Sequence, residues 1–197
     1  MKSENEYIGD DKFQKFLNHY NCQMPLEVVK LRFAGAICSP NADLRPTDVI
    51  SSLWEEGKTP RLETKAEADL FFKFFMGLWD EMFALIVQNK VNLPHFDKKE
   101  NVTDLCNARF EQVELGFVEG FWGGLENLKI PAYIAEVADS LSRVALLYKS
   151  LANKTASQEK NIFDTINDCD KTVNKSLHFL IQNYALPHIE ELKRTVN

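Results

Sequence analysis

The chain has 197 residues, 23 of them basic and 29 acidic, for a formal net charge of −6. That length serves one domain whose core stands without metal or disulfide staples. No basic face precedes the short Lys193-Arg194 tail, so direct nucleic-acid binding is disfavoured.

Asp10–Tyr20 opens the series of expected helices, with Phe13, Phe16, Leu17 and Tyr20 on one face. Pro25 suits a first turn, and a helix over Leu26–Cys38 follows until Ser39-Pro40 stops it. Pro46 opens a short helix to Glu56, with Gly57 past its end. Thr64-Lys-Ala-Glu67 is a capping-box signature before a long helix to about Lys90. Thr103 is placed to cap the next helix, which runs to about Gly123. Pro131 opens another, ending near Asn153. The last long helix, from about Ser157 to Tyr184, carries Ile162, Ile166, Cys169, Val173, Leu177, Leu180 and Tyr184 at spacings of three and four. Pro187 closes it. Strand alternation is absent over any useful length. The expected fold is all-α: a single-domain bundle, 1–197, of about six or seven helices, with a smaller C-terminal lobe, 155–197, as the alternative division.

Leu70–Val87 approaches a membrane span in length, and its non-apolar residues are Lys73, Gly77, Asp80 and Glu81. Three charges near a bilayer centre would each cost roughly 2.5–3.5 kcal/mol. A central helix of a soluble core, wrapped by neighbours on three sides, is expected instead.

Gly116-Phe-Val-Glu-Gly120-Phe-Trp-Gly123-Gly124 places half of the eight glycines in a segment that otherwise reads as helix. Gly116, Gly120 and Gly124 recur every four residues and form a side-chain-free groove on one face. Each glycine costs a helix interior roughly 1 kcal/mol relative to alanine. Close approach of a second backbone is the expected compensation. Ala34 and Cys38 offer a second small-residue face, so the Leu26–Cys38 helix is expected to cross there. Fourteen Phe, five Tyr and three Trp supply the large side chains that pack around the small ones.

Motifs of known chemistry are weak. Gly57-Lys58-Thr59 resembles the end of a phosphate-binding loop, but Ser52 stands where its first glycine belongs and Pro60 follows at once. None of His19, His95, His178 and His188 has an acid three residues before it, and His188 with Glu191 makes only a single pair. No Gly-x-Ser-x-Gly elbow exists. Cysteine–histidine catalysis stays open, since such partners need only meet in space. Asp80 is the one acid worth following, because it lies on the polar stripe of an apolar helix. The four cysteines have no CxxC spacing and read as buried small hydrophobes in a reducing compartment. Met1–Asp10 has no charged-then-apolar leader, so a cytoplasmic protein is expected.

Two segments together resemble the YgfB/YecA-like family of bacterial proteins. The first is Leu31-Arg-Phe-Ala-Gly-Ala-Ile-Cys-Ser-Pro40, followed by Leu44, Pro46 and Leu53-Trp54. The second is Phe117-x-x-Gly120-Phe-x-x-Gly124. The similarity spans roughly Leu26–Leu151. The family commonly has Leu-Asp-Gly in its first motif, where this chain has approximately Val29-Lys30-Leu31, and the cysteine-rich tail of some members has no counterpart here. The resemblance implies an all-helical fold, a homodimer and regulation through protein contacts; it brings no catalytic residue, cofactor or metal.

The expected function is therefore that of a cytoplasmic, non-enzymatic interaction or regulatory protein. It would use Gly116, Gly120, Gly124, Phe121, Trp122, Pro40 and Trp54 for helix packing and partner contact. The alternative is a helical binder of an apolar small molecule, and an unrecognised enzyme comes last.

Overall fold

A computed structural model describes residues 6–55, 58–97, 101–125, 129–153 and 161–195. These residues are helical throughout their regular structure, with no strand among them. The elements are α1 (Asp10–His19), α2 (Leu26–Ile37), α3 (Pro46–Ser51), α4 (Lys65–Val87), α5 (Val102–Phe110), α6 (Glu119–Trp122), α7 (Ala132–Ala152), α8 (Ile162–Leu180) and α9 (Leu186–Thr195). A π-helical segment, Glu111–Val118, joins α5 to α6 without a break, and a shorter one, Ile181–Ala185, joins α8 to α9. Seven continuous helices result among the described residues.

The central helix is α2. Nine of its residues are buried, from Leu26 to Ala36, and α1, α3, α4, α6 and the longer π-helical segment all pack on it. Its small residues explain this position. A Cβ on Gly35 would lie 2.1 Å from Phe117 O, and one on Gly120 would lie 2.2 Å from Arg32 O. Such separations admit only hydrogen, so the two backbones touch directly. Gly116 lies one turn earlier, against Leu31 and Val28. The expected crossing is present, but its geometry differs in two respects. The atoms nearest the glycines belong to Val28, Leu31, Arg32 and Ala36, not to Ala34 and Cys38. Gly124 is not part of the groove, because Gly123 (φ 55°) ends the helix in a left-handed turn and Gly124 (φ 76°) faces open space.

The long apolar helix α4 lies outside this centre. It buries Phe71, Phe75, Gly77, Leu78, Met82 and Ile86 along one face, while Leu70, Phe72 and Val87 are exposed. Total apolarity misplaced it: bulky aromatics hold neighbours at a distance, whereas small residues let several helices approach at once. Gly77 does not belong to a polar stripe with Lys73, Asp80 and Glu81 either. It is buried, and a Cβ there would meet Glu6 O at 2.9 Å, where the segment before α1 crosses α4. Phe13 and Phe75 meet edge to face at 5.4 Å and 84°, and Phe16, Phe33, Phe71 and Trp54 join them in an aromatic cluster. No helix of the described residues is long and apolar enough to cross a membrane.

Several helix ends also differ from expectation. Thr64 does cap α4 by accepting from Glu67 N. The cap of α5 is Asn101, whose side chain accepts from Thr103 N and Asp104 N; Thr103 instead donates its hydroxyl to Ala152 O and ties α5 to α7. An amide oxygen two residues back reaches both free N–H groups of the first turn, which explains the preference. α3 ends at Ser51, and the expected end at Glu56-Gly57 lies outside the described residues. Pro187 does not close the last helix, which continues through α9. The π-helical turn before it, where Leu186 N donates to Ile181 O, shifts the hydrogen-bond register and lets proline sit in the next first turn without breaking the chain direction. α8 and the π-helical turn after it share the common core through Leu177, Leu180 and Ile181.

Candidate functional site

Arg32 is the one charged residue in the buried run of α2, and a buried guanidinium must find acceptors. Its Nε donates to Leu115 O at 2.9 Å, inside the π-helical segment. Its Nη1 donates to Ser52 O at 2.9 Å and to Ser52 Oγ at 3.0 Å, just past α3. Its Nη2 pairs with Glu119 Oε2. Burial works to lower the arginine pKa, and the Glu119 charge opposes that. One side chain thus pins three elements together.

These elements enclose a cleft of about 830 Å³. Val28 and Arg32 of α2 form its floor, and Glu111, Leu115 and Glu119, each four residues apart, form one wall. The turn after α3 forms the other wall through Leu53, Trp54, Glu55 and Lys58, with Met24 and Pro25 at the near end. The interior is apolar and the rim is polar. Glu55, Lys58 and Glu119 are exposed, whereas Val28, Leu53 and Trp54 are buried. Trp54 is held in place because its Nε1 donates to Tyr20 O at 3.0 Å. Cys22 Sγ donates to Leu53 O at 3.6 Å on the same side, and burial pushes its thiol pKa up.

A second polar centre lies between α5, α7 and α8. Arg109 donates from Nε and Nη2 to Asp170, the latter at 2.9 Å, and also to Gln112 Oε1 at 2.7 Å and Pro94 O at 2.6 Å. Tyr148 donates its hydroxyl to Asp170 Oδ1 at 2.6 Å. Arg109, Tyr148 and Asp170 are all buried. Burial first, then the hydrogen bond and charge of Asp170, push the Tyr148 phenol upward. Burial likewise pushes the Cys106 thiol to about 11. These directions suppress nucleophilicity, and this network serves as a clasp between helices.

The expected site residues scatter. Trp54 lines the cleft, although it is 8% exposed and so offers an edge rather than a free face. Gly116 and Gly120 lie at the helix crossing. Phe121 is fully buried against Phe117, Trp122 and Tyr184, so it belongs to the core and not to a partner surface. Trp122 and Pro40 are half-buried outside the cleft, and Gly124 is solvent-exposed. Lys30, where the YgfB/YecA-like motif differs, bridges Asp10 at 2.6 Å and Glu27 at 3.4 Å, joining α1 to α2. Asp80 is half-buried and engaged with a partner. His188 stacks on Tyr184 at 5.9 Å. Among the described residues no group of three His, Cys, Asp or Glu is placed to hold a metal.

The residues that sequence reasoning missed are Arg32, Glu111, Leu115 and Glu119. Two signals pointed to them: a lone arginine in an apolar small-residue helix, and the four-residue spacing of the other three along the glycine helix.

No protein-family model, no curated protein and no solved structure matches the chain.

Proposed function

We propose that the protein is a helical docking module of a regulatory kind, whose partner inserts apolar side chains into the cleft beside Trp54. The supporting observation is the cleft itself: a largely apolar interior, a polar exposed rim, and walls fixed by Arg32. A small apolar ligand wants enclosure over most of its surface. The exposed rim at Glu55, Lys58 and Glu119 instead suits an anchor projecting from a larger body, as in interfaces centred on one desolvated pocket. The resemblance to YgfB/YecA-like proteins adds a homodimer and a cytoplasmic setting to this reading. Tyr133 and Phe179, whose rings meet at 6.3 Å, are both exposed and supply apolar surface suited to such a dimer.

The test is site-specific photo-crosslinking in host cells, with benzoylphenylalanine at Leu115 and, as control, at Lys171 on the outer face of α8. A discrete polypeptide adduct from position 115, missing from position 171, is the expected outcome. A purified protein that retains a lipid-like molecule in the cleft, with no polypeptide adduct, would move the reading to an apolar-ligand binder.

A further inference from the structure

The charges around the Trp54 cleft do not balance. Five ionic side chains line it: Arg32, Lys58, Glu55, Glu111 and Glu119. Arg32 pairs with Glu119, and Lys58 pairs with Glu55. Glu111 is left with no ion-pair partner among the described residues. It stands half-buried on the wall, one helical step from Leu115.

The buried cation of the cleft is not available to a ligand, and Lys58, exposed at the rim, already pairs with Glu55. Four of the five N–H groups of Arg32 are already committed, to Leu115 O, to Ser52 O and Oγ, and to Glu119. An incoming carboxylate or phosphate would have to displace Glu119 from a buried guanidinium while facing Glu111. An incoming ammonium or guanidinium meets the opposite situation. Glu111 is unpaired, and the Glu119 side chain, 49% exposed, keeps its outer edge open to a second donor. Beneath them lie Val28, Leu53, Trp54 and Leu115, which ask for an apolar group within a side chain's length of that cation.

We infer that the partner segment carries a lysine or arginine next to its apolar anchor, with the apolar side chain in the cleft and the cation on Glu111. This rests on the docking reading above and names the chemistry of the partner. Charge at a rim acts mainly on encounter rate and on rejection of wrong partners. The chain's net charge of −6 steers in the same direction.

A phage library of random 12-residue peptides, panned on the immobilised full-length protein, tests both levels separately. Binders are counter-selected on Leu115→Trp, which fills the cleft. Met24→Trp at the near end of the cleft does the same should the first variant fail to fold, as judged by circular dichroism. Synthetic versions of the enriched peptides are then titrated calorimetrically against wild type, Glu111→Gln and Glu111→Lys. The expected result is an apolar residue flanked by Lys or Arg, with about fivefold weaker binding to Glu111→Gln, the size of a rim ion pair. Glu111→Lys weakens binding further, and raised salt reduces the wild-type affinity toward that of Glu111→Gln. Apolar peptides without a basic residue, or titrations indifferent to Glu111→Gln, overturn the inference while the docking module stands. Peptides that bind the cleft-filled variants as well as wild type, or none enriched at all, overturn the docking reading and this inference with it.

Discussion

Arg32 and Arg109 stand on helices that cross, both buried, and their partners differ in kind. Every acceptor of Arg109 is buried or backbone: Asp170, Gln112 and Pro94 O. Arg32 shares its charge with Glu119, which is 49% exposed, and it forms the floor of a cleft. A guanidinium enclosed with its counter-ion has no ligand to gain and acts as a clasp. One whose counter-ion reaches water shapes a surface that another molecule can approach. Burial of a charge alone does not distinguish these roles; the exposure of its partner does.

The largest effect is expected from breaking the clasp. Arg109→Met leaves Asp170 inside without its cation and should cost about 3–5 kcal/mol in urea unfolding. Arg109→Met with Asp170→Leu should recover much of that loss, because both desolvated charges leave together. A single-variant cost below about 1 kcal/mol would place Arg109 among ordinary surface ion pairs.

Buried thiols and the Tyr148 phenol set the response to alkali. The Tyr148 phenol and the Cys38, Cys106 and Cys169 thiols all have pKa values raised by burial above their ordinary 10.0 and 9.0. An acid held neutral in the fold stabilises fully below its unfolded pKa, and that stability is lost as pH rises from there through the folded value. The unfolded chain loses these protons first, so each group removes up to about 1.4 kcal/mol per pH unit. Melting temperature should therefore hold to about pH 8.5 and fall steadily between 9 and 10.5. A flat profile across that window would mean that the thiols and phenol reach water.

Next comes the crossing. Gly120→Ala places a methyl group 2.2 Å from Arg32 O, and overpacking against backbone should cost about 1–3 kcal/mol or more. Gly124→Ala faces open space and meets only the left-handed φ of 76°, for about 1 kcal/mol. Equal costs at the two positions would remove the backbone contact as the reason for Gly120.

That pair of glycines marks how far the sequence could be read. Period-four spacing made Gly116, Gly120 and Gly124 equivalent, and it correctly implied a close crossing. It could not show that Gly123 would turn left-handed and take Gly124 out of the helix. The all-α fold and most helix starts were legible because caps and prolines act locally, at Thr64, Pro46 and Pro131. The central helix was not, since α4 outweighs α2 in apolar content while α2 wins in closeness of approach. Pro187 was misread because a π-helical turn leaves no mark in apolar spacing. The cleft was legible only in its Trp54 wall. Four-residue spacing puts Glu111, Leu115 and Glu119 on one face, but their meeting with Arg32 comes from a crossing angle, which no spacing within one helix encodes.

A smaller loss separates Arg32 from Arg109. Arg32→Met removes donors from Leu115 O and Ser52 O, but Glu119 then turns to water, so about 1–2 kcal/mol is expected in the same urea assay. A loss matching that of Arg109→Met would show Glu119 to be as enclosed as Asp170, and the contrast between clasp and cleft would vanish.

The smallest expected effect is the most specific to the site. Glu111 has no ion-pair partner among the described residues, so Glu111→Gln should melt within about 0.5 kcal/mol of wild type, as substitutions away from packed or paired groups do. Any change within that range is expected to be a gain, because the Glu111 and Glu114 carboxylates repel at a spacing of three along the helix. A carboxylate that contributes nothing to the fold, on the wall of the cleft that Arg32 props open, is free to be used on something else. A clear loss of stability in Glu111→Gln would instead assign that carboxylate to the fold and remove the asymmetry of charge on which the reading of the cleft depends.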